Sequence, residues 1–275
     1  MSRASRRRTR RWCPVHEPRR HSAAILMYHN VSPVAPPGFR KYTVSPSSFA
    51  AQMRILSLAR YRVIRLDAYV DARRAGSPLW PRTAVITFDD GFRDAAHYAV
   101  PILRARRFPA TFFIVAGLLG RRSEWLADAG ADLPLADRDT VLQLHRSGFE
   151  IGAHSMTHPQ LSRLPDQDVV EELSRSRAVL EDLLGSPVTH MAYPFGDYDE
   201  RVRSRAADAG YRSACSVRIG RSAPDDDMLG LHRIPVSGTD SPLDFLARLY
   251  NGHDFRETTA SKVRRLTDRR PGGSS

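Results

Sequence analysis

Eight short apolar runs, separated by segments of helical pattern, constrain this chain more than any other feature. They cover residues 23–28, 61–66, 84–88, 110–116, 149–153, 188–193, 212–217 and 231–236, and each has the length of a buried strand. Between them, Ser45 and Pro46 read as the N-cap and first residue of a helix that carries Phe49, Met53 and Leu56 on one face. Residues 94–107 have helical spacing with Pro101 inside, which predicts a kink. Residues 165–184 place Val169, Leu173, Leu180 and Leu183 at helical spacing and stop at Gly185, as residues 199–209 stop at Gly210. Strand–helix alternation without a repeat or a break predicts one α/β domain on a parallel sheet, open or closed into a barrel.

The residues able to do chemistry sit where these runs end. His29, Asp89, Asp90, His154 and Tyr193 each fall just after a strand-like run, on the carboxyl-end face where barrels and open α/β sheets build their sites. In Thr87-Phe88-Asp89-Asp90-Gly91 two adjacent carboxylates meet a glycine turn, and such carboxylates repel unless a cation lies between them or one is protonated. In His154-Ser155-Met156-Thr157-His158 a helical turn or tight loop can aim both imidazoles at one point. Alone, the first segment is an ordinary Asx turn and the second a pair of surface or capping histidines. Together, Asp90, His154 and His158 are a donor set for one divalent ion, zinc first, with cobalt or nickel as alternatives. Asp89 is then free to act as a base, and the pattern predicts metal-assisted hydrolysis. Residues 117–139 look like an irregular excursion beside this face, from which Trp125 is expected to line a binding groove.

The formal charge of +12 suggests a polyanion partner, but its distribution does not support one for the core. Residues 1–22 carry eight Arg against Glu17, and residues 256–275 carry five Arg and Lys262 against Glu257 and Asp268. This leaves residues 23–255 nearly neutral, so no nucleic-acid partner is expected for the core. The two basic tails are expected to be disordered and able to touch anionic surfaces. No apolar run approaches the roughly eighteen residues of a membrane span. The arginine-rich start lacks a following apolar stretch, so it is not read as a secretory signal and by itself suggests a cytoplasmic protein. Cys13 and Cys215 are the two cysteines and imply no disulfide framework. Cys215 is read as a small buried apolar residue, and His97 and His145 as exposed helical positions.

The motifs resemble those of the NodB-homology polysaccharide deacetylases, a carbohydrate esterase family. Thr87-Phe88-Asp89-Asp90-Gly91 is similar to the family's first motif, and His154-Ser155-Met156-Thr157-His158 to its second. Leu26-Met27-Tyr28-His29-Asn30-Val31 resembles the opening strand of one branch. Ala192-Tyr193-Pro194-Phe195-Gly196 resembles that branch's third motif, and His232-Arg233-Ile234-Pro235-Val236 its closing strand. The resemblance runs from residue 23 to about residue 250. It implies a distorted (β/α) barrel of seven or eight strands and metal-dependent removal of N-acetyl groups from an amino-sugar glycan. Relatives are often extracytoplasmic, in conflict with the missing signal. Carried over, Asp90, His154 and His158 bind the metal and Asp89 activates water. A backbone N–H of the Pro194–Gly196 turn holds the oxyanion, and Tyr193 and Phe195 read equally as packing or as a platform for a sugar beside Trp125.

Two departures from the family pattern matter. Many members carry an Arg in the third motif that braces the base; this chain has Ala192 there, so the brace is either absent or supplied from elsewhere, with Arg233 as the candidate. The general acid is expected to be His29 of the opening strand, with His232 as the alternative. Two other readings stay open: hydrolysis of a non-peptide C–N bond in a small cyclic amide, and a weakly active glycan-binding protein.

Overall fold

The computed structural model describes residues 22–252. Its strands are β1 (Ala23–Tyr28), β2 (Asn30–Val31), β3 (Thr43–Val44), β4 (Arg62–Val63), β5 (Thr83–Phe88), β6 (Thr111–Ile114), β7 (Glu150–Ala153), β8 (His190–Ala192), β9 (Ser213–Ile219) and β10 (Leu231–Pro235). Its α-helices are α1 (Pro46–Leu58), α2 (Leu66–Arg74), α3 (Arg93–Arg106), α4 (Arg138–Arg146), α5 (Asp166–Leu184), α6 (Glu200–Asp208) and α7 (Pro242–Asn251). The eight apolar runs all contribute strands to one parallel sheet in the order β1-β10-β9-β8-β7-β6-β5-β4, and β2 and β3 form a separate pair.

The sheet closes because β1 also pairs with β5, in register from Ala23 opposite Thr83 to Tyr28 opposite Phe88. Seven strands therefore form the ring and β4 lies outside it. β4 pairs with Thr83 and Ala84, while β6 takes Thr87 and Phe88 further along β5. The expected strand over 61–66 shrinks to Arg62–Val63 because Leu66 opens α2 instead. Leu66, Tyr69 and Val70 of that helix are buried with Ala23, Ile25, Val85, Phe113, Ala192, Cys215 and Leu231 in one cluster. Ala24, Leu26, Tyr28, Ala84, Ile86 and Phe88 belong to a second cluster shared with the surrounding helices. Alternate residues of β1 and β5 thus serve two apolar environments, so both strands are buried at every position. Cys215 is fully buried among these residues, and burial pushes its thiol up to about 12.

The expected helices form within a residue or two of their predicted ends. Ser45 Oγ accepts from the Ser48 N–H at the start of α1, and Asp199 caps α6 through the Val202 N–H. α3 runs unbroken through Pro101. Residues 117–139 contain the 3₁₀ turn Glu124–Ala129 and are pinned beside the end of β5. The Ala136 N–H donates to the Gly91 carbonyl at 2.8 Å and the Arg93 N–H to the Pro134 carbonyl at 3.0 Å. No helix among the described residues is long and apolar enough to cross a membrane. The expected basic tails lie outside the described residues, apart from Ser22.

Candidate active site

The site begins at the carboxyl end of β5, where the Asp89 N–H donates to the Tyr28 carbonyl at 2.9 Å and continues the β1 pairing by one residue. Asp90 (φ 69°) and Gly91 (φ 70°) then turn left-handed. Aspartate tolerates this conformation at a cost of about 1–2 kcal/mol, and glycine does so without penalty. The turn points the Asp90 carboxylate at the loop after β7. There Ser155 (φ 62°) and His158 (φ 65°) make a tight loop, closed by the His158 N–H donating to Ser155 Oγ at 3.0 Å.

Asp90 Oδ1 lies 3.2 Å from His154 Nε2 and 3.2 Å from His158 Nε2. All three side chains are buried, and one donor atom from each falls within 4.8 Å of the others. His154 Nδ1 is 2.8 Å from the Ala192 carbonyl, which can only accept. Nδ1 therefore carries a proton, so in the neutral ring Nε2 presents its lone pair to the site, and in the imidazolium it donates to Asp90. His158 Nδ1 is buried without a hydrogen-bond partner among the described residues. The His158 ring is held between Trp125, stacked at 4.1 Å, and Phe195, edge-on at 4.5 Å. Two imidazole nitrogens and one carboxylate oxygen around one point suit a zinc-type ion with further positions open.

Asp89 is held by Arg233. The guanidinium donates to Asp89 Oδ1 at 2.6 Å and to Oδ2 at 2.7 Å. Arg233 is fully buried and is aimed by the Ser216 carbonyl at 2.8 Å and Thr87 Oγ1 at 3.2 Å. Burial favours a neutral Asp89, but the Arg233 charge and hydrogen bonds outweigh it and leave the carboxyl below its ordinary value. Burial acts likewise on Asp90, and hydrogen bonds from His154 and His158 hold it well below the carboxylate range. His154 is pushed up, its burial overcome by Asp90 and Asp89. Two carboxylates facing one guanidinium leave a net negative charge, which a proton on His154 or a metal cation can balance.

Around these groups lies a cavity of about 400 Å³. His29 lines it, with Nδ1 buried and unpartnered among the described residues and the ring 4.9 Å from that of Tyr42. Burial lowers its pKa, and the two aspartates oppose that shift. The Pro194–Gly196 turn borders the cavity with Phe195 at φ 57° and Gly196 at φ 67°. Gly196 has no alternative, because a Cβ there would lie 2.3 Å from Val217 Cγ2. The Tyr193 N–H donates to the Cys215 carbonyl, that of Gly196 to Tyr193 and that of Asp197 to Pro194. Pro194 has no N–H. The Phe195 N–H is therefore the one donor of the turn without a partner among the described residues.

Two further expected residues are less open to the cavity. His232 lies on the opposite side of β10 from Arg233, one-third exposed and 3.6 Å from Asp226, and is not part of the cavity wall. Tyr193 borders the cavity, but its ring is fully buried and stacked on Tyr198 at 4.4 Å. Its hydroxyl donates to the Leu229 carbonyl at 2.9 Å, so it is packing, not a platform for a ligand. Phe195, 49% exposed, and Trp125 also line the cavity.

Glu172 is a residue that sequence reasoning missed. It accepts from the Met156 and Thr157 N–H groups at 2.8 and 3.0 Å and from Thr157 Oγ1 at 2.7 Å, which fixes the loop carrying both histidines. Its signal was present: a carboxylate on the buried face of α5, between Val169, Leu173, Ser176 and Leu180.

The parallel barrel carries paired carboxylates and two histidines at its carboxyl-end face. Residues 77–214 match the sequence model of polysaccharide deacetylases, half of the chain, and the protein belongs to that family. It is a hydrolase of carbon–nitrogen bonds other than peptide bonds. YxkH of Bacillus subtilis (strain 168) is 25% identical over 230 residues, covering 83% of this chain and 76% of that protein. The poly-β-1,6-N-acetyl-D-glucosamine N-deacetylase of Staphylococcus aureus (strain COL) is 22% identical, covering 80% of this chain and 75% of its own length. Among solved structures, the deacetylase PplD of Streptococcus pyogenes superposes with a TM-score of 0.72 at 23% identity, covering 83% of this chain and 98% of that one. IcaB from Ammonifex degensii gives 0.71 at 22% identity, covering 83% and 95%. Both share the barrel.

Proposed function

We propose that the protein removes N-acetyl groups from an amino-sugar polysaccharide, with one divalent ion held by Asp90, His154 and His158. The observation that carries this reading is the placement of Asp90 Oδ1 3.2 Å from two imidazole Nε2 atoms, beside an aspartate clamped by a buried arginine. Zinc fits the donor set, with cobalt or nickel as substitutes. An ion held by these three residues would supply Lewis acidity to the amide carbonyl and to water.

The chain's own groups supply the rest. Asp89, kept ionised by Arg233, takes a proton as water attacks the acetyl carbonyl. The Phe195 N–H donates to the oxygen that becomes negative. His29 gives a proton to the nitrogen as the C–N bond breaks, leaving acetate and a free amine. An amine expelled as an anion is too poor a leaving group, so an acid on this side of the cavity is required. Its low pKa makes the His29 imidazolium a strong acid once formed.

A glycan is favoured over a small cyclic amide by the exposed Phe195 and by Trp125 beside it, since aromatic faces at a cavity edge suit sugar rings. The name of the Staphylococcus aureus relative points to the same substrate class. Arg233 on Asp89 removes the reason for expecting weak activity from the absent motif arginine.

The test is acetate release from N-acetylglucosamine oligomers by protein loaded with zinc, cobalt or nickel. Release abolished by a chelator and by His154→Ala supports the proposal. Stoichiometric metal binding without acetate release from these oligomers or from longer N-acetylated glycans would refute it.

A further inference from the structure

Both ends of the described chain meet at one guanidinium. Arg221 donates from Nε to Ser22 Oγ at 3.2 Å, from Nη2 to the Ser22 carbonyl at 3.0 Å and from Nη1 to the Leu249 carbonyl at 2.9 Å. The chain before Ser22 carries eight Arg against Glu17. The chain after Gly252 carries five Arg and Lys262 against Asp254, Glu257 and Asp268. The described chain therefore begins and ends at one place, and the sequence beyond it on either side is strongly basic.

That place is itself amphipathic. Tyr61 donates to the same Leu249 carbonyl at 3.1 Å, which joins the end of α7 to the turn after α1. The turn exposes Arg60 and Arg62, and the Arg62 N–H donates to the carbonyl of Arg82, also exposed. Beside these arginines in sequence stand Leu58, 71% exposed, and Trp80, 59% exposed. On α7, Leu246 and Tyr250 occupy one helical stripe at 45% and 60% exposure. Ser22, Arg62 and Arg82 mark the amino ends of β1, β4 and β5, opposite the end that carries the cavity.

We infer that this amino-end face docks on an anionic lipid bilayer. Leu58, Trp80 and Tyr250 enter the headgroup region while Arg60, Arg62 and Arg82 lie against the phosphates, and the basic sequence on either side adds to the attraction. Cations alone would serve any polyanion, but exposed leucine, tryptophan and tyrosine among them gain from an apolar phase, which favours lipid over nucleic acid. Docked this way, the enzyme turns its cavity away from the membrane.

The test is cosedimentation of the whole chain with vesicles of phosphatidylcholine alone or mixed with phosphatidylglycerol. Binding is expected on the mixed vesicles, weakening as salt rises. The exposed-site variant Leu58→Ser/Trp80→Ser/Tyr250→Ser should bind about tenfold more weakly, with its circular dichroism and its retention on a heparin column unchanged. Failure to bind mixed vesicles would overturn the inference. So would equal binding by the variant, which would make the basic segments a plain polycation, or a duplex oligonucleotide outcompeting the vesicles, which would make nucleic acid the partner.

Discussion

The two ends of the barrel use the same residue types for different ends. At the carboxyl end, Asp90 faces His154 and His158 across 3.2 Å, with the histidine Nε2 atoms turned to a cavity. At the amino end, Glu150 and His190, the first residues of β7 and β8, stand 3.5 Å apart and buried. Glu150 is spent on structure: it accepts from the Leu66 and Asp67 N–H groups, each at 3.0 Å, and from Thr111 Oγ1 at 2.6 Å. It thereby caps α2, whose own N-cap position, Arg65, makes no side-chain cap bond. His190 Nδ1 is taken by Ser213 Oγ at 2.9 Å. A carboxylate–histidine pair thus becomes a candidate metal centre where strands open into loops and a cap where they begin. What separates the two is whether the lone pairs are already committed to backbone donors.

The contrast can be broken by substitution. Asp89→Asn is expected to lower kcat by about 10²–10⁴-fold, whereas Glu150→Gln should leave kcat unchanged; equal losses of kcat would mean the two ends are not functionally separate. Arg233→Ala strands a buried Asp89 charge and should cost about 3–5 kcal/mol of unfolding free energy, measured in urea, together with activity. A variant as stable as the parent would show that the pair does not hold the closing strand.

The amino-end pair also predicts a pH dependence. Burial lowers the His190 pKa from 6.5 to about 4, so the unfolded chain binds a proton there at a pH where the folded chain does not. Its contribution is complete above pH 6.5 and is lost as pH falls toward 4, by up to about 3 kcal/mol. Glu150, raised first by burial, titrates with the opposite sign, so the parent's slope is a net one. His190→Asn removes the histidine's part, and the difference between the two stability curves should grow with pH over this interval; parallel curves would contradict it. The smallest effect is for Glu150→Gln, about 1.5–3 kcal/mol from one weakened charged cap, read as a lower Tm at constant metal affinity.

Much of the site was legible in the sequence because its parts are local. Asp89 and Asp90 follow directly on one strand and His154 follows another, so a parallel sheet brings them to one face whatever its curvature. His158 is near His154 by a turn that Ser155 closes. The 61–66 run was misread because an apolar stretch of six residues does not reveal where extended chain becomes helix. Here a carboxylate from far along the chain decides it by binding the first N–H groups of α2. For Tyr193 the sequence left packing and ligand contact equally open, because a strand-end aromatic looks the same in sequence whether it faces a cavity or a second ring.

The sequence by itself determined the alternation of strands and helices, the face that carries the chemistry and the donor set of Asp90, His154 and His158. Periodicity and strand-end position are properties of neighbouring residues. Only the tertiary structure decided that seven strands close while β4 stays outside, that Arg233 reaches both oxygens of Asp89 while His232 turns away from the cavity, and that the Phe195 N–H finds no partner among the described residues. Which side of a strand faces the barrel interior depends on its register with its neighbours, and Arg233 meets a partner 144 residues away. That pairing exists only once β1 has closed the ring between β10 and β5.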